Sequence, residues 1–369
     1  MLRLILEPRA APLRGMRLAS PLIALACTVL ISIPVLLAIG LPPAVTLRNF
    51  FIEPLRTANG VSEWLLTASP LVLIALGESV AFRANVWNIG AEGMFTAGAI
   101  AAAWCALHFG ASAPHAALLL AMACAGALGG MAWASIPAFL KTRANTNEIL
   151  VTLMLNYVAG LALRYLVNGP MQDPAGLNYP QTAPFEPAAL FQPLVPGLRV
   201  NGSIFITLGA AAATWLFFEH SFLGFQMTVG GDAPTAARYA GYRPAQLVWV
   251  GLLVSGATAG LAGMMEAAGP LAQLTPVISP GYGFTAIIVS FLGRLNPIGV
   301  LISGTVLAVT YVGGQVAQSA VHVPSSSAGI FQATMLFLIL ASDVLVRRRI
   351  RFVPAPKQAP VTVIAGAAK

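Results

Sequence analysis

Phe82-Arg83-Ala84-Asn85-Val86-Trp87-Asn88-Ile89-Gly90-Ala91-Glu92-Gly93 stands between two long apolar runs and puts an arginine, two asparagines and a carboxylate where a helix should enter a bilayer. Irregular, polar backbone at membrane depth survives only where protein or a water-filled cavity surrounds it. A second interruption, Pro276 to Gly283 (PVISPGYG), breaks another apolar run with prolines and glycines. Broken helices of this kind line substrate routes in membrane transporters. The competing reading is a tight turn between helices near the surface.

The rest of the chain fits a membrane setting. Of its 369 residues, 57% are hydrophobic and 9% charged, with a mean hydropathy of +0.80. Soluble domains carry roughly 25% charged residues, so this chain has too little charge to face water. A spanning helix needs about 20 mostly apolar residues, because the hydrocarbon core is roughly 30 Å thick. Runs that meet this requirement lie near 20–40, 64–82, 87–107, 115–139, 148–167, 203–219, 247–267, 276–293, 297–319 and 329–346. The expected fold is therefore an all-α polytopic membrane protein of about ten transmembrane helices with broken or re-entrant segments. Residues 1–19 form an N-terminal tail, 20–346 the transmembrane domain and 347–369 a C-terminal tail.

The net charge of +8 sits at the ends of apolar runs: Arg3, Arg9, Arg14 and Arg17; Lys141 and Arg143; Arg238 and Arg243; Arg347, Arg348, Arg349 and Arg351. That is the pattern of positive-inside orientation, and it makes both termini cytoplasmic. Segments 41–63 and 168–202 fall outside. The same placement argues against nucleic acid as a partner, since no long basic stretch could track a phosphate backbone. Cys27, Cys105 and Cys124 lie in apolar runs and form no CxxC pair; the four histidines lack metal-ligand spacing. Neither pattern supports a disulfide framework or a zinc site. The first apolar run exceeds the usual core of a secretory signal, which favours a retained helix.

The internal loop 220–246 is unlike the others. Its glycines Gly230 and Gly231 are expected to break the preceding helix, with Asp232 as a cap, Pro234 in a first turn and Gly241 as a stop. A helix of about two turns is too short to be stable alone in water and needs a partner surface. Ala236, Ala237 and Ala240 leave it a slim face, while Arg238 and Tyr239 offer polar anchors. For the substrate pathway the candidates are Asn88 and Glu92, with Asn147, Glu148 and Asn156 as secondary ones, since amides and carboxylates are costly in lipid. A purely structural alternative exists for two of these: Asn147 caps the fifth span, and Glu148 favours its N-terminal dipole.

Four stretches, FRANVWNIGAEGMFTAGA (82–99), TNEILVTLMLNYVA (146–159), APTAARYAGY (233–242) and GLAGMMEAAGPLAQLTPVISPGYGFTAIIVSFLGRLNPIG (260–299), resemble the membrane subunit of an ABC importer. The branch is the branched-chain amino acid/simple-sugar permease superfamily, nearest the nucleoside permeases served by basic-membrane-protein-type lipoproteins. The resemblance covers roughly 64 to 346. It implies a pair of permease subunits on a nucleotide-binding component, in tandem-ATPase form, fed by an extracytoplasmic binding lipoprotein at the bacterial inner membrane. It also implies that Ala233–Gly241 is the coupling helix. The pattern departs from the family at Ala233, where Asn is usual, at Tyr242, where Ile is usual, and at Met94, where Gln is frequent.

The chain carries no cofactor of its own in this reading; ATP and Mg belong to the partner ATPase. A phosphate-binding loop needs G-x-x-x-x-G-K-[ST], and Lys141, Lys357 and Lys369 are the only lysines, none in that frame. The alternatives are an ion-driven secondary transporter, for which Glu78, Glu92 and Glu266 are the available carboxylates, and an intramembrane protease. The latter lacks an embedded nucleophile–base pair or paired aspartates.

Overall fold

The computed structural model describes residues 40–321 continuously, with 2–8, 348–354 and short pieces between 26 and 38 and between 329 and 338. Two compact units emerge, Leu41–Gly329 and Met1–Gly40 with Ile330–Lys369. In the second unit, β1 (Leu2–Pro8) pairs antiparallel with β2 (Arg348–Pro354), Leu2 opposite Pro354 and Pro8 opposite Arg348. The terminal tails are thus paired with each other.

The first unit is all helical. It runs α1 (Pro43–Phe51), α2 (Glu53–Arg56), α3 (Ala58–Arg83), α4 (Ala91–Phe109), α5 (His115–Ala144), α6 (Glu148–Val167), α7 (Ser203–His220), α8 (Phe222–Asp232), α9 (Pro234–Tyr239), α10 (Pro244–Glu266), α11 (Tyr282–Leu292) and α12 (Pro297–Val321). Among the described residues six helices are long and apolar enough to cross a membrane: α3, α5, α6, α7, α10 with its extension to Leu271, and α12. This is a multi-pass membrane protein. The expected span near 329–346 lies largely outside the described residues, and that near 20–40 is described only in short pieces from residue 26 on.

Close backbone contact builds the core. A Cβ on Gly98 of α4 would collide with the backbone of Gly260 in α10; one on Gly130 of α5 would collide with the carbonyl of Gly256, and one on Gly260 with that of Gly126. The small-residue runs 126–130 and 255–260 therefore face each other. In lipid, where apolar burial supplies no drive, such approach gives the dispersion contacts that hold helices together. α3 lies at the centre, with Leu71, Leu73, Ile74 and Leu76 fully enclosed.

Two expected spans are shortened. α4 begins at Ala91, because 84–90 is not helical, and α11 covers only Tyr282–Leu292. At 1.5 Å per residue an 11-residue helix reaches about 17 Å, roughly half the hydrocarbon core. The preceding chain cannot extend it: α10 passes into a π-turn at Ala267–Leu271, Ala272 is left-handed, and Pro276, Pro280 and Gly281 follow. The segment between α6 and α7 lies along this stretch, with Thr182 N–H donating to Leu274 O (3.1 Å) and Phe185 N–H to Ala272 O (2.8 Å).

The loop 220–246 corrects two expectations. Gly230 and Gly231 do not break a helix; both lie within α8, which continues through Asp232. A Cβ on Gly231 would strike the carbonyl of Arg83, and one on Gly230 would strike Leu247, so these glycines serve close packing of α8 on the ends of α3 and α10. Asp232 is accordingly the last residue of α8 and no cap. Ala233 (φ −140°, ψ 71°) is the hinge, with no side-chain cap for α9. Pro234 does occupy the first turn. Gly241 (φ +80°) does end the helix: its N–H donates to Arg238 O (3.0 Å) and that of Tyr242 to Ala237 O (3.0 Å), a Schellman closure.

Candidate functional site

The broken stretch 84–90 starts at another Schellman closure. Asn85 (φ 56°) takes the left-handed position, its N–H bonding Phe82 O (3.0 Å) and that of Val86 bonding Ala81 O (3.0 Å). The buried amides beyond it find partners on α6, since an unpaired amide here would have no water to turn to. Ile89 N–H donates to Thr152 Oγ1 (3.1 Å), Asn156 Nδ2 donates to Ile89 O (2.8 Å), and Asn156 Oδ1 accepts from Gly93 N–H (2.8 Å). Asn156 thus satisfies one of the free donors at the start of α4. It joins the broken stretch to α6.

Glu92 ties this junction to the second interruption. Its Oε2 accepts from Gly283 N–H at 2.7 Å, and Ser279 stands beside the carboxylate. Ser279 Oγ in turn accepts from Gly281 N–H (3.0 Å) and Tyr282 N–H (3.1 Å). A carboxylate at the first turn of α11 complements that helix's dipole. A Cβ on Gly283 would overlap the backbone of Glu92, so the two broken helices meet main chain to main chain.

Beside this junction is a cavity of ≈ 360 Å³ lined by Glu92, Thr96, Asn156, Tyr157, Arg164 and Ser279, with apolar walls from α6 and from 276–278. Both interruptions that the sequence singled out contribute to it. Arg164, which sequence reasoning passed over, stands exposed on α6 three residues from its end. A guanidinium inside an apolar span was the available signal.

The remaining candidates lie elsewhere. Asn88 is fully enclosed, and its Nδ2 reaches Glu78 Oε1 (2.8 Å), Ser255 Oγ (2.8 Å) and Met94 Sδ (3.3 Å) while its Oδ1 accepts from Gly90 N–H (2.8 Å). Ser255 Oγ also donates to Glu78 Oε1 (2.7 Å). This knot joins α3, the broken stretch and α10, and Met94 faces it instead of a substrate wall. Asn147 Oδ1 caps α6 through Ile149 N–H (3.0 Å), and Glu148 pairs with Lys141 Nζ at 2.7 Å, which closes the turn between α5 and α6. Neither reaches the cavity. In the α9 region, Asp232, Ala233, Pro234, Ala236, Arg238, Tyr239 and Gly241 are exposed, Tyr239 to 91%, and Ala237 alone is buried. Among the described residues no group of three or more His, Cys, Asp or Glu could hold a metal ion.

A multi-pass bundle with broken helices around a cavity is the arrangement that lines substrate routes in membrane transporters. The chain belongs to the family described as branched-chain amino acid transport system / permease component, whose sequence profile matches residues 60–340, and it is an ABC transporter permease. It is 34% identical over 355 residues to the glucose ABC transporter permease protein TsgB13 of Haloferax volcanii, covering 94% of this chain and 93% of the relative. It is 31% identical to the guanosine ABC transporter permease protein NupP of Bacillus subtilis (76% and 81% covered). It is 27% identical to the nucleoside ABC transporter permease protein NupB of Lactococcus lactis (88% and 91% covered).

Proposed function

We propose that this chain forms the passage of an ATP-driven importer for nucleosides, related ribosyl compounds or simple sugars in the bacterial inner membrane. The cavity at the meeting of α4, α6 and the 276–283 stretch carries this reading. It offers hydrogen-bonding groups for hydroxyls and base edges, with the Tyr157 ring beside them. Relatives named for guanosine, nucleosides and glucose narrow the solute class.

In this reading α9 docks into a separate ATPase, which holds ATP and Mg, and a second permease subunit and an extracytoplasmic lipoprotein complete the complex. ATP binding draws the ATPase domains together, and the docked helices rock the bundle between inward- and outward-open states. The nearly complete exposure of Tyr239 on a helix too short to persist alone supports such a dock. A ten-span topology with both termini cytoplasmic follows from the charge placement. The pairing of β1 with β2 supports it, since two paired tails share one side of the membrane.

The ion-driven alternative rests on Glu78, a buried carboxylate whose Oε2 has no hydrogen-bond partner among the described residues. Uptake of labelled guanosine and glucose into proteoliposomes holding the assembled complex separates the two. The proposal predicts uptake that needs ATP on the ATPase side and survives ionophores. Uptake driven by an ion gradient without ATP would overturn it.

A further inference from the structure

Arg83 ends α3 at the place where four separate pieces of the chain converge. Its Nε donates to Leu295 O at 3.0 Å. Its guanidinium carbon lies 3.8 Å from the centre of the Phe218 ring at the end of α7, and Glu219 and Asp232 are within electrostatic reach. Its own carbonyl is the atom that a Cβ on Gly231 of α8 would strike, with Asn85 N next in line. One residue thus touches the α7–α8 corner, α8, the α11–α12 turn and the broken stretch.

The turn it holds is strained. Arg294 and Leu295 both have φ of 55°, a conformation unfavourable for residues with side chains and retained only where the surroundings enforce it. Arg83 supplies such enforcement through the Leu295 carbonyl. Beside it, Phe82 stacks on Phe291 at 5.0 Å and Trp87 on Phe291 at 5.6 Å, which fixes the broken stretch to α11.

On one side of Arg83 lies α9. α8 and α9 meet at a single hinge residue, and Phe222 and Tyr242 pack edge to face at 6.0 Å across the fold, so displacement of α9 is passed to α8 and its contact at Gly231. On the other side, the stretch that begins at Ala84 runs through Asn88 and Ile89 to Glu92 and the cavity. A rigid contact chain of this sort can carry coupling between distant sites.

The geometry points to Arg83 as the positioning residue that transmits movement of α9 to the broken helices around the cavity. This inference rests on the reading of 233–241 as the ATPase dock. It adds a transmission point that belongs neither to the dock nor to the cavity wall. Arginine suits the position because one guanidinium can donate to a carbonyl and lie on an aromatic face at once.

The test uses the full complex with its ATPase, in nanodiscs. Spin labels at positions 161, on α6, and 277, on the 276–283 stretch, both exposed residues of the cavity lining, are introduced after replacement of Cys27, Cys105 and Cys124. Wild type should show a change in the 161–277 distance on addition of ATP and vanadate. Arg83→Ala should retain the ATPase and its basal ATP hydrolysis but lose that change. The ratio of solute moved to ATP hydrolysed should fall roughly two- to thirtyfold. Phe218→Leu, a milder change, should weaken the response in the same direction, and Arg83→Lys should restore part of it.

A wild-type distance change in Arg83→Ala would overturn the inference. So would loss of the ATPase from that variant, which would make Arg83 a structural support of the loop. Arg238→Glu serves as the separate control: retention of the ATPase at wild-type level there would overturn the dock itself, whatever Arg83 does.

Discussion

The amide of Gly283 donates to Oε2 of Glu92 at 2.7 Å, so the first turn of one broken helix is held by the first turn of another, 191 residues away in the chain. Glu92 is therefore both a wall of the cavity and the clamp that fixes the cavity's shape. A hydrogen bond to a charged group contributes about 1.5–3 kcal/mol. Glu92→Ala should lower the midpoint of thermal unfolding in detergent and abolish uptake, whereas Glu92→Gln, which keeps an acceptor oxygen, should retain most of the stability. Equal unfolding midpoints for Glu92→Ala and wild type would show that the clamp is unimportant.

Asn88 makes a different case, because its partners Glu78 and Ser255 are enclosed with it. Asn88→Ala leaves a buried carboxyl short of a donor, which costs about 1–3 kcal/mol. Replacing Glu78 by leucine as well removes the group left wanting, and such double replacement often recovers stability. A double-mutant cycle of Asn88→Ala and Glu78→Leu should therefore be strongly non-additive. Additive losses would mean that the knot is no unit.

Glycine replacements along the bundle should divide by what a methyl group would meet. At Gly260 it meets the carbonyl of Gly126, whereas at Gly209 nothing lies within 4 Å. Gly260→Val should cost at least about 1–3 kcal/mol through overpacking and reduce membrane yield. Gly209→Ala should be neutral or stabilising by about 0.5–1 kcal/mol, through the entropy that glycine loses in a helix. Yield and melting of purified protein read both. The reverse order would contradict the packing described.

Single-cysteine labelling reads the orientation. A cysteine at 236 should react with a membrane-impermeant reagent only from inside, and one at 195, in the segment between α6 and α7, only from outside. Labelling of 236 from the outside alone would invert the topology.

Local chemistry made much of the bundle legible. The span expected over 148–167 coincides with α6, because an asparagine cap, an acidic first turn and an apolar run agree on its bounds. The interruption at 82–93 was equally plain. Legibility ended where tertiary contact decides. Gly230 and Gly231 read as breakers, since a sequence does not show the Arg83 carbonyl waiting above them. Asn88 read as a pathway residue because its partner Ser255 is 167 residues distant. Asn156 was singled out as polar within a span, but its task of satisfying the first turn of α4 needed the fold. The span expected over 276–293 carries its own interruption, Pro276 to Gly283, but only the backbone shows that the helix starts as late as Tyr282 and ends at Leu292.

The central claim is that this permease receives its energy through α9. A photo-cross-linking amino acid at position 239, where the tyrosine is 91% exposed, tests it directly in membranes containing the complex. A matching probe at position 177, where the leucine is 89% exposed on the segment between α6 and α7, is the control. The account predicts an adduct with the ATPase chain from 239 and none from 177. Absence of the adduct from 239, or an ATPase adduct from 177, would contradict it.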